Sequence, residues 1–244
     1  MNPDPNVLVF DTPEQVAQAG AERFVDYAAA SIGDHDSFAV ALAGGSTPRR
    51  AYELLATDEF KGRINWPRVH LFFGDERAVP PDDPQSNYRM VNDALISRVA
   101  IPAENVHRII GETEPTQSAA SYEAELKGFF GKVDWPRFDL VWLGMGADGH
   151  TASLFPGSNA LQEETRWVLA TRQPQTGQDR ITLTLPVINH AARVTFMVRG
   201  KDKAAMLARV LRSESADEEL PARKIKPVNG ILECLVDRAA ASAI

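Results

Sequence analysis

The sequence predicts an α/β protein with a doubly wound, mainly parallel sheet, and three observations predict it. Short apolar runs bounded by glycine or polar clusters recur along the 244 residues as strand candidates. Between the early ones lie segments with apolar residues at helical spacing, and strand–helix alternation leads to parallel strands joined by crossovers. Three of the strand candidates run straight into glycine-bearing turns crowded with polar side chains. No internal repeat, low-complexity block or composition shift marks a linker, so one domain over residues 1–244 is expected.

The first strand is expected over residues 7–10. Asp11 or Thr12 then caps a helix that has Pro13 at its start and Val16, Ala17, Ala21, Phe24, Val25 and Ala28 on one face. A second strand over 38–43 leads into Gly44, Gly45, Ser46, Thr47 and Pro48, and a helix carrying Tyr52, Leu54 and Leu55. Strand three, 69–73, ends at a turn of Gly74, Asp75, Glu76 and Arg77. A Pro/Asp-rich loop over 80–84 precedes a helix from about Ser86, and another helix covers 116–129. Strand four is 138–143, almost without polar residues. Further strands are expected near 167–170, 181–185, 194–198 and 231–236, with a helix over 203–211 and a short alanine-rich helical tail. The acidic run Asp217, Glu218 and Glu219 reads as a solvated surface segment.

Composition narrows the function classes. Hydrophobic residues make up 44% and charged residues 24%, ordinary for a globular protein with a sizeable core. A net charge of -7 argues against nucleic acid as a partner, because a phosphate backbone demands a basic face. A small anionic ligand needs only a few local cations and is not excluded. The single cysteine, Cys234, rules out an internal disulfide and reads as a small core residue. The N-terminal M-N-P-D-P-N has neither a basic region nor an apolar run, so no signal peptide is expected. No apolar segment approaches the ~20 residues of a membrane span. The expectation is a cytoplasmic protein, monomeric or a small homo-oligomer, with no membrane partner.

Three turns carry chemistry. The fourth strand opens into G-M-G-A-D-G-H, a glycine loop that presents Asp148 and His150 one residue apart, an arrangement hard to explain by stability alone. Pro156 and Gly157 stop any helix begun at Thr151 within about two turns. The second turn has the form of a phosphate cradle. Gly44 and Gly45 let the backbone approach a ligand, Ser46 or Thr47 can cap the helix, and the positive helix end faces an anion. The third turn places Asp75, Glu76 and Arg77 at a strand end. Each has a plainer explanation as a capped turn or a surface salt bridge. Ligands of open parallel sheets, however, bind outside the carboxyl ends of the strands, where all three turns fall together.

Other motifs are set aside. The G-x-G-x-x-G at 144–149 lacks the long helix and the acidic strand end of a dinucleotide site. Nothing matches a Walker loop, and no G-x-S-x-G elbow surrounds a serine. His35, His70, His107 and His190 show no metal-ligand spacing, so no metal is expected. Arg180, at the start of a strand, and Lys201, just past one, are cations within reach of an anion at that edge.

Taken together, G-G-S-T-P at 44–48, G-D-E-R at 74–77 with Ser86-Asn87, and G-A-D-G-H-T-A-S-L-F-P-G at 146–157 resemble the 6-phosphogluconolactonases of the glucosamine-6-phosphate isomerase/6-phosphogluconolactonase family. R-I-T at 180–182 and G-x-x-K at 200–203 fit the same pattern, and the likeness spans nearly the whole chain. The related glucosamine-6-phosphate deaminases continue after D-G-H with I-A-F-N-E-P-G, whose glutamate assists ring opening. This chain has Leu154-Phe155 there, which favours the lactonase. A sugar-phosphate-sensing domain of a regulator is the other alternative, but it would call for a DNA-binding segment beside it.

The resemblance implies a three-layer, Rossmann-like fold that hydrolyses 6-phospho-D-glucono-1,5-lactone without metal or organic cofactor. An imidazole, with a reference pKa of ~6.5, can take a proton from water at neutral pH, which makes His150 the expected general base. Asp148 or Asp75 would orient it or hold sugar hydroxyls. Gly44, Gly45, Ser46 and Thr47 with Arg77, Arg180 and Lys201 would hold the phosphate. The sequence leaves open which cation meets phosphate and which the oxyanion.

Overall fold

Thr12 begins the first helix by a reciprocal cap. Its hydroxyl accepts from the Gln15 amide at 3.2 Å while the Gln15 side chain accepts from the Thr12 amide at 3.1 Å. The computed structural model describes residues 5–212 and 220–244, so the acidic run Asp217, Glu218 and Glu219 lies outside the described residues. Strand β1 (Asn6–Phe10) precedes that helix, α1 (Pro13–His35). Then come β2 (Phe38–Leu42), α2 (Ser46–Leu55), the one-turn α3 (Asp58–Lys61), β3 (Val69–Phe73), β4 (Asp75–Arg77), α4 (Asn87–Ala94), β5 (Val106–His107) and α5 (Pro115–Phe130). The rest is β6 (Leu140–Leu143), β7 (Val168–Arg172), β8 (Asp179–Leu183), α6 (Leu185–Asn189), β9 (Arg193–Val198), α7 (Ala204–Leu211) and β10 (Ile231–Asp237).

Seven strands form one sheet in the order β1-β10-β9-β6-β2-β3-β5, and every pairing in it is parallel. Each of β2 and β6 is buried along its whole length, as strands with both faces covered must be. Helices flank this sheet. Phe24 of α1 meets Trp142 of β6 edge-on at 5.6 Å, and Tyr52 of α2 stacks on the same indole at 5.4 Å. Cys234 sits in this core, its thiol pushed up to about 12 by burial and next by Glu233.

Sequence reasoning missed a second sheet. Residues 75–77, expected as a turn, form β4, which pairs antiparallel with β8, and β8 pairs antiparallel with β7. Helix α5 packs across β7 and β8. Smaller differences follow local chemistry. The strand expected to 185 stops at Leu183, because Pro186 cannot donate to a ladder and instead starts α6. No helix starts at Thr151, which bridges to Leu154. The tail is a 3₁₀ turn, Ala240–Ala243. The two-residue β5 was too short to give a periodic signal.

Two tyrosines fix the strand ends that carry the site. The Tyr52 hydroxyl donates to the Ala43 carbonyl at 2.9 Å and accepts from its amide at 3.0 Å. The Tyr122 hydroxyl does the same for Phe73 at the end of β3, at 3.2 and 2.9 Å. Both phenols are wholly buried, and burial drives their pKa far up. They serve as fixed hydrogen-bonding groups, not as acids.

Candidate active site

The loop after β6 folds back on itself. The Gly146 amide donates to the His150 carbonyl at 2.9 Å, the Gly149 amide to the Gly146 carbonyl at 3.1 Å, and the Thr151 hydroxyl to the Gly144 carbonyl at 2.8 Å. A side chain at Gly146 is impossible. A Cβ there would lie 2.1 Å from His150 Nδ1 and 2.5 Å from Asp148 Oδ1, so the glycine is what lets those two groups meet above the backbone. His150 Nδ1 and Asp148 Oδ1 are 2.5 Å apart, and the His150 amide also donates to that oxygen at 3.2 Å. The pairing leaves Nε2 free of the carboxylate. Burial works against the Asp148 charge, but the His150 imidazole and amide outweigh it and hold the carboxyl below its usual range.

The turn after β2 departs from its expected capping. Gly45, not Ser46 or Thr47, occupies the N-cap, with φ +95°, and no side chain caps the first turn of α2. The positive end of a ten-residue helix is thereby left open toward solvent and ligand. Arg199 donates to Ser46 Oγ at 2.8 Å from the end of β9.

In β4 the three charged residues have separate fates. Glu76 is 2% exposed and accepts from the amides of Asn87 and Tyr88 at 2.7 and 2.8 Å and from Ser86 Oγ at 3.0 Å. It is an anchor for the N-terminus of α4, and burial raises its pKa against those bonds. Asp75 points the other way. It accepts from Ser153 Oγ at 2.6 Å and from Asn87 Nδ2 at 3.2 Å. Arg77 stands directly opposite Arg180 across the β4–β8 ladder.

Two adjoining clefts open along this edge of the sheet. One, of about 380 Å³, is lined by His150, Asp75, Asn87, Ser153, Arg77 and Arg180 together with Gly44 and Gly45. The other, of about 490 Å³, is lined by Ser46, Thr47, Arg199 and Gly200. Gly44, Gly45, Gly144, Met145 and Lys203 line both. The expected sharing of one pocket by His150 and the second turn is therefore present. Asp148 lies behind the imidazole and lines neither cleft.

Lys201 does not join the group and corrects the sequence expectation. It is exposed on a 3₁₀ turn, Lys201–Lys203, and lines neither cleft. With about three residues per turn, position 203 points a different way from 201, and Lys203 reaches both clefts instead. The signal was the last letter of the G-x-x-K string. Ser153 lay unread inside the D-G-H-T-A-S string. Gln173, which lines the first cleft, gave no signal. Among the described residues no cluster of three His, Cys, Asp or Glu side chains is placed to hold a metal ion, and no helix is long and apolar enough to cross a membrane.

Residues 11–234 match the family described as glucosamine-6-phosphate isomerases/6-phosphogluconolactonase. The chain is 39% identical over 237 residues to a 6-phosphogluconolactonase of Haemophilus influenzae, covering 96% of this chain and 98% of that protein. It is 43% identical over 217 residues to a 6-phosphogluconolactonase of Nostoc, covering 88% of each. Its fold superposes on a solved 6-phosphogluconolactonase of Trypanosoma cruzi with a TM-score of 0.88 at 31% identity, covering 100% of this chain and 98% of that one.

Proposed function

The chain belongs to the glucosamine-6-phosphate isomerase/6-phosphogluconolactonase family, and from that premise we propose that it hydrolyses 6-phospho-D-glucono-1,5-lactone to 6-phosphogluconate, the lactone-opening step of the pentose phosphate pathway. The observation that carries this reading is the His150–Asp148 pair opening onto the same cleft as the Gly44–Gly45 turn. Residues lining the two clefts run from position 13 to 237, which supports one catalytic domain over 1–244.

A lactone carbonyl is already electrophilic, so water and a general base suffice and no acyl-enzyme is required. His150 Nε2 takes a proton from water as the oxygen attacks C1. Asp148, on the opposite nitrogen, fixes the tautomer and stabilises the imidazolium. The C1–ring-oxygen bond then breaks, and the same imidazolium returns its proton to the departing ring oxygen. Asp75, braced by Ser153 and Asn87, accepts from sugar hydroxyls and holds the ring over the imidazole. The open N-terminus of α2 with Ser46, Thr47 and Lys203 holds the phosphate, and that remote binding energy fixes the reacting carbon. No cofactor takes part. The single buried cysteine and the net charge of -7 suit a cytoplasmic enzyme.

The position of the deaminase glutamate is filled by apolar side chains. Leu154 and Phe155 are 0% and 2% exposed, which supports lactone opening over amine release. The test is a pH-stat or coupled assay on freshly generated phosphogluconolactone, corrected for spontaneous hydrolysis, beside an ammonia assay on glucosamine 6-phosphate. Lactone turnover well above background and no ammonia is the expected result. Ammonia release, or lactone decay at the background rate, would overturn the reading.

A further inference from the structure

Arg77 and Arg180 face each other directly across an antiparallel ladder, an arrangement that destabilises a sheet when the charges are alike. Among the described residues neither arginine makes an ion pair. Arg77 donates through Nη1 to the Gln85 carbonyl and Arg180 through Nη2 to Gln173 Oε1 at 3.2 Å, both neutral acceptors. Their Nε atoms are buried and have no partner. The two nearby carboxylates are committed elsewhere, Asp75 to Ser153 and Asn87, and Glu76 to the first turn of α4. Burial and then the charge of Arg77 hold Arg180 below its ordinary pKa, against the pull of Asp75 and Glu76. An arginine pair of this kind, lining an open cleft without a carboxylate partner among the described residues, fits an anion that arrives from outside.

The proposed function places the phosphate in the adjoining cleft, at the start of α2 beside Lys203, whereas Arg77 and Arg180 line only the cleft that holds His150. On the lactonase reading, the group beside His150 is C1, uncharged in the lactone and a carboxylate once the ring opens. We infer that Arg77 and Arg180 form a second anion subsite, which takes the C1 carboxylate of the open-chain product. A 6-phosphoaldonate is then gripped at both ends, phosphate in the α2 cradle and carboxylate between the two guanidinium groups. The subsite makes acyclic 6-phosphoaldonates the inhibitor class of this enzyme. It also calls for a following reaction that consumes the carboxylate product, because the product is held by a contact the substrate lacks.

The test is direct binding by calorimetry of 6-phosphogluconate, glucitol 6-phosphate (the same chain without the carboxylate) and inorganic phosphate. The proteins are the wild type, Arg180→Gln, Arg77→Gln and Lys203→Ala. The wild type is expected to bind 6-phosphogluconate about 10-fold or more tightly over the alcohol, the scale of a charged hydrogen bond. Either glutamine variant should abolish that preference and leave inorganic phosphate binding unchanged, while Lys203→Ala weakens all three ligands. Relief of the facing charges should leave the Tm of Arg180→Gln equal to or above wild type, and Arg77→Gln gives the same readout should the first variant misfold. A preference that survives in both glutamine variants, or phosphate binding lost in them, overturns the subsite. Binding is measured without turnover, so a wild type that shows the preference but does not open the lactone would sink the lactonase reading alone.

Discussion

Two Asp–His pairs sit at opposite edges of the same parallel sheet. At the carboxyl edge, His150 Nδ1 meets Asp148 Oδ1 at 2.5 Å; at the amino edge, His35 Nε2 meets Asp139 Oδ1 at 2.9 Å. The chemistry of the pairs is the same, and their surroundings differ. Asp139 is buried and spends its second oxygen on the Ala39 amide at 2.8 Å, so the pair ties the end of α1 and the start of β6 to β2. His35 lines neither of the two clefts. His150 instead lines a cleft floored by glycine and walled by arginines that make no ion pair among the described residues. An aspartate–histidine contact is therefore no signature of catalysis by itself. The open cleft and the unpaired charge around it make the difference.

The sharpest way to break the comparison is to delete each imidazole. His150→Ala should lower kcat for the lactone by roughly 10²-fold or more, the usual worth of a general base. His35→Ala should leave kcat intact and lower stability by about 1 kcal/mol, read by denaturant titration. Equal effects on kcat would erase the distinction. The carboxylates come next. Asp148→Asn should reduce kcat by about 10²-fold with little change in KM, by disturbing the tautomer and the imidazolium. Asp139→Asn should act on folding alone, by about 1–3 kcal/mol, as it weakens a buried bond. A smaller effect separates the two lysines of the 3₁₀ turn. Lys203→Ala should raise KM about 10-fold while Lys201→Ala changes neither constant. An unchanged KM in both would remove Lys203 from the phosphate site.

The smallest effect concerns a third histidine contact. His70 Nδ1 lies 3.3 Å from His107 Nε2 on the outer strands, and His107 Nδ1 lies 2.8 Å from Glu125. Burial, then the neighbouring His107, hold the His70 pKa below its ordinary value. The unfolded chain thus binds a proton more readily than the folded one. Stability should be intact above about pH 6.5 and erode as pH falls from there toward the folded pKa. His70→Gln should flatten that part of the Tm profile; an unaltered slope would assign the acid sensitivity elsewhere.

Six of the seven strands of the main sheet were legible because they are short apolar runs, and its helices carry strong periodicity and caps, as at Thr12 and Pro13; the two-residue β5 was not. The loop of the candidate site was legible because three glycines, an aspartate and a histidine follow a fully apolar strand. What stayed hidden depends on register between distant segments. Nothing local to Asp75, Glu76 and Arg77 announces a partner strand at 179–183. Without that pairing, Arg77 and Arg180 could not be assigned to the His150 cleft instead of the Gly44–Thr47 turn. Asp75 and Asp148 could not be told apart for the same reason, since one faces the cleft and the other stands behind the imidazole. Lys201 was misread because a lysine past a strand end looks equivalent to its neighbour two residues on, until Gly200, at φ +94°, turns the chain.

Only Gly74 separates the last residue of β3 from the first of β4. Its amide donates to the Leu42 carbonyl at the end of β2, and its carbonyl accepts from the Leu183 amide at the end of β8, both at 2.9 Å. One residue, through its two flanking peptide groups, is thus riveted to both sheets. The wall bearing Asp75 and Arg77 cannot swing away from the floor bearing Gly44 and His150 without tearing that rivet. The enzyme should consequently meet its ligand with the two halves of its mouth already set at their working separation, and crystals grown with and without sugar phosphate should superpose at this joint.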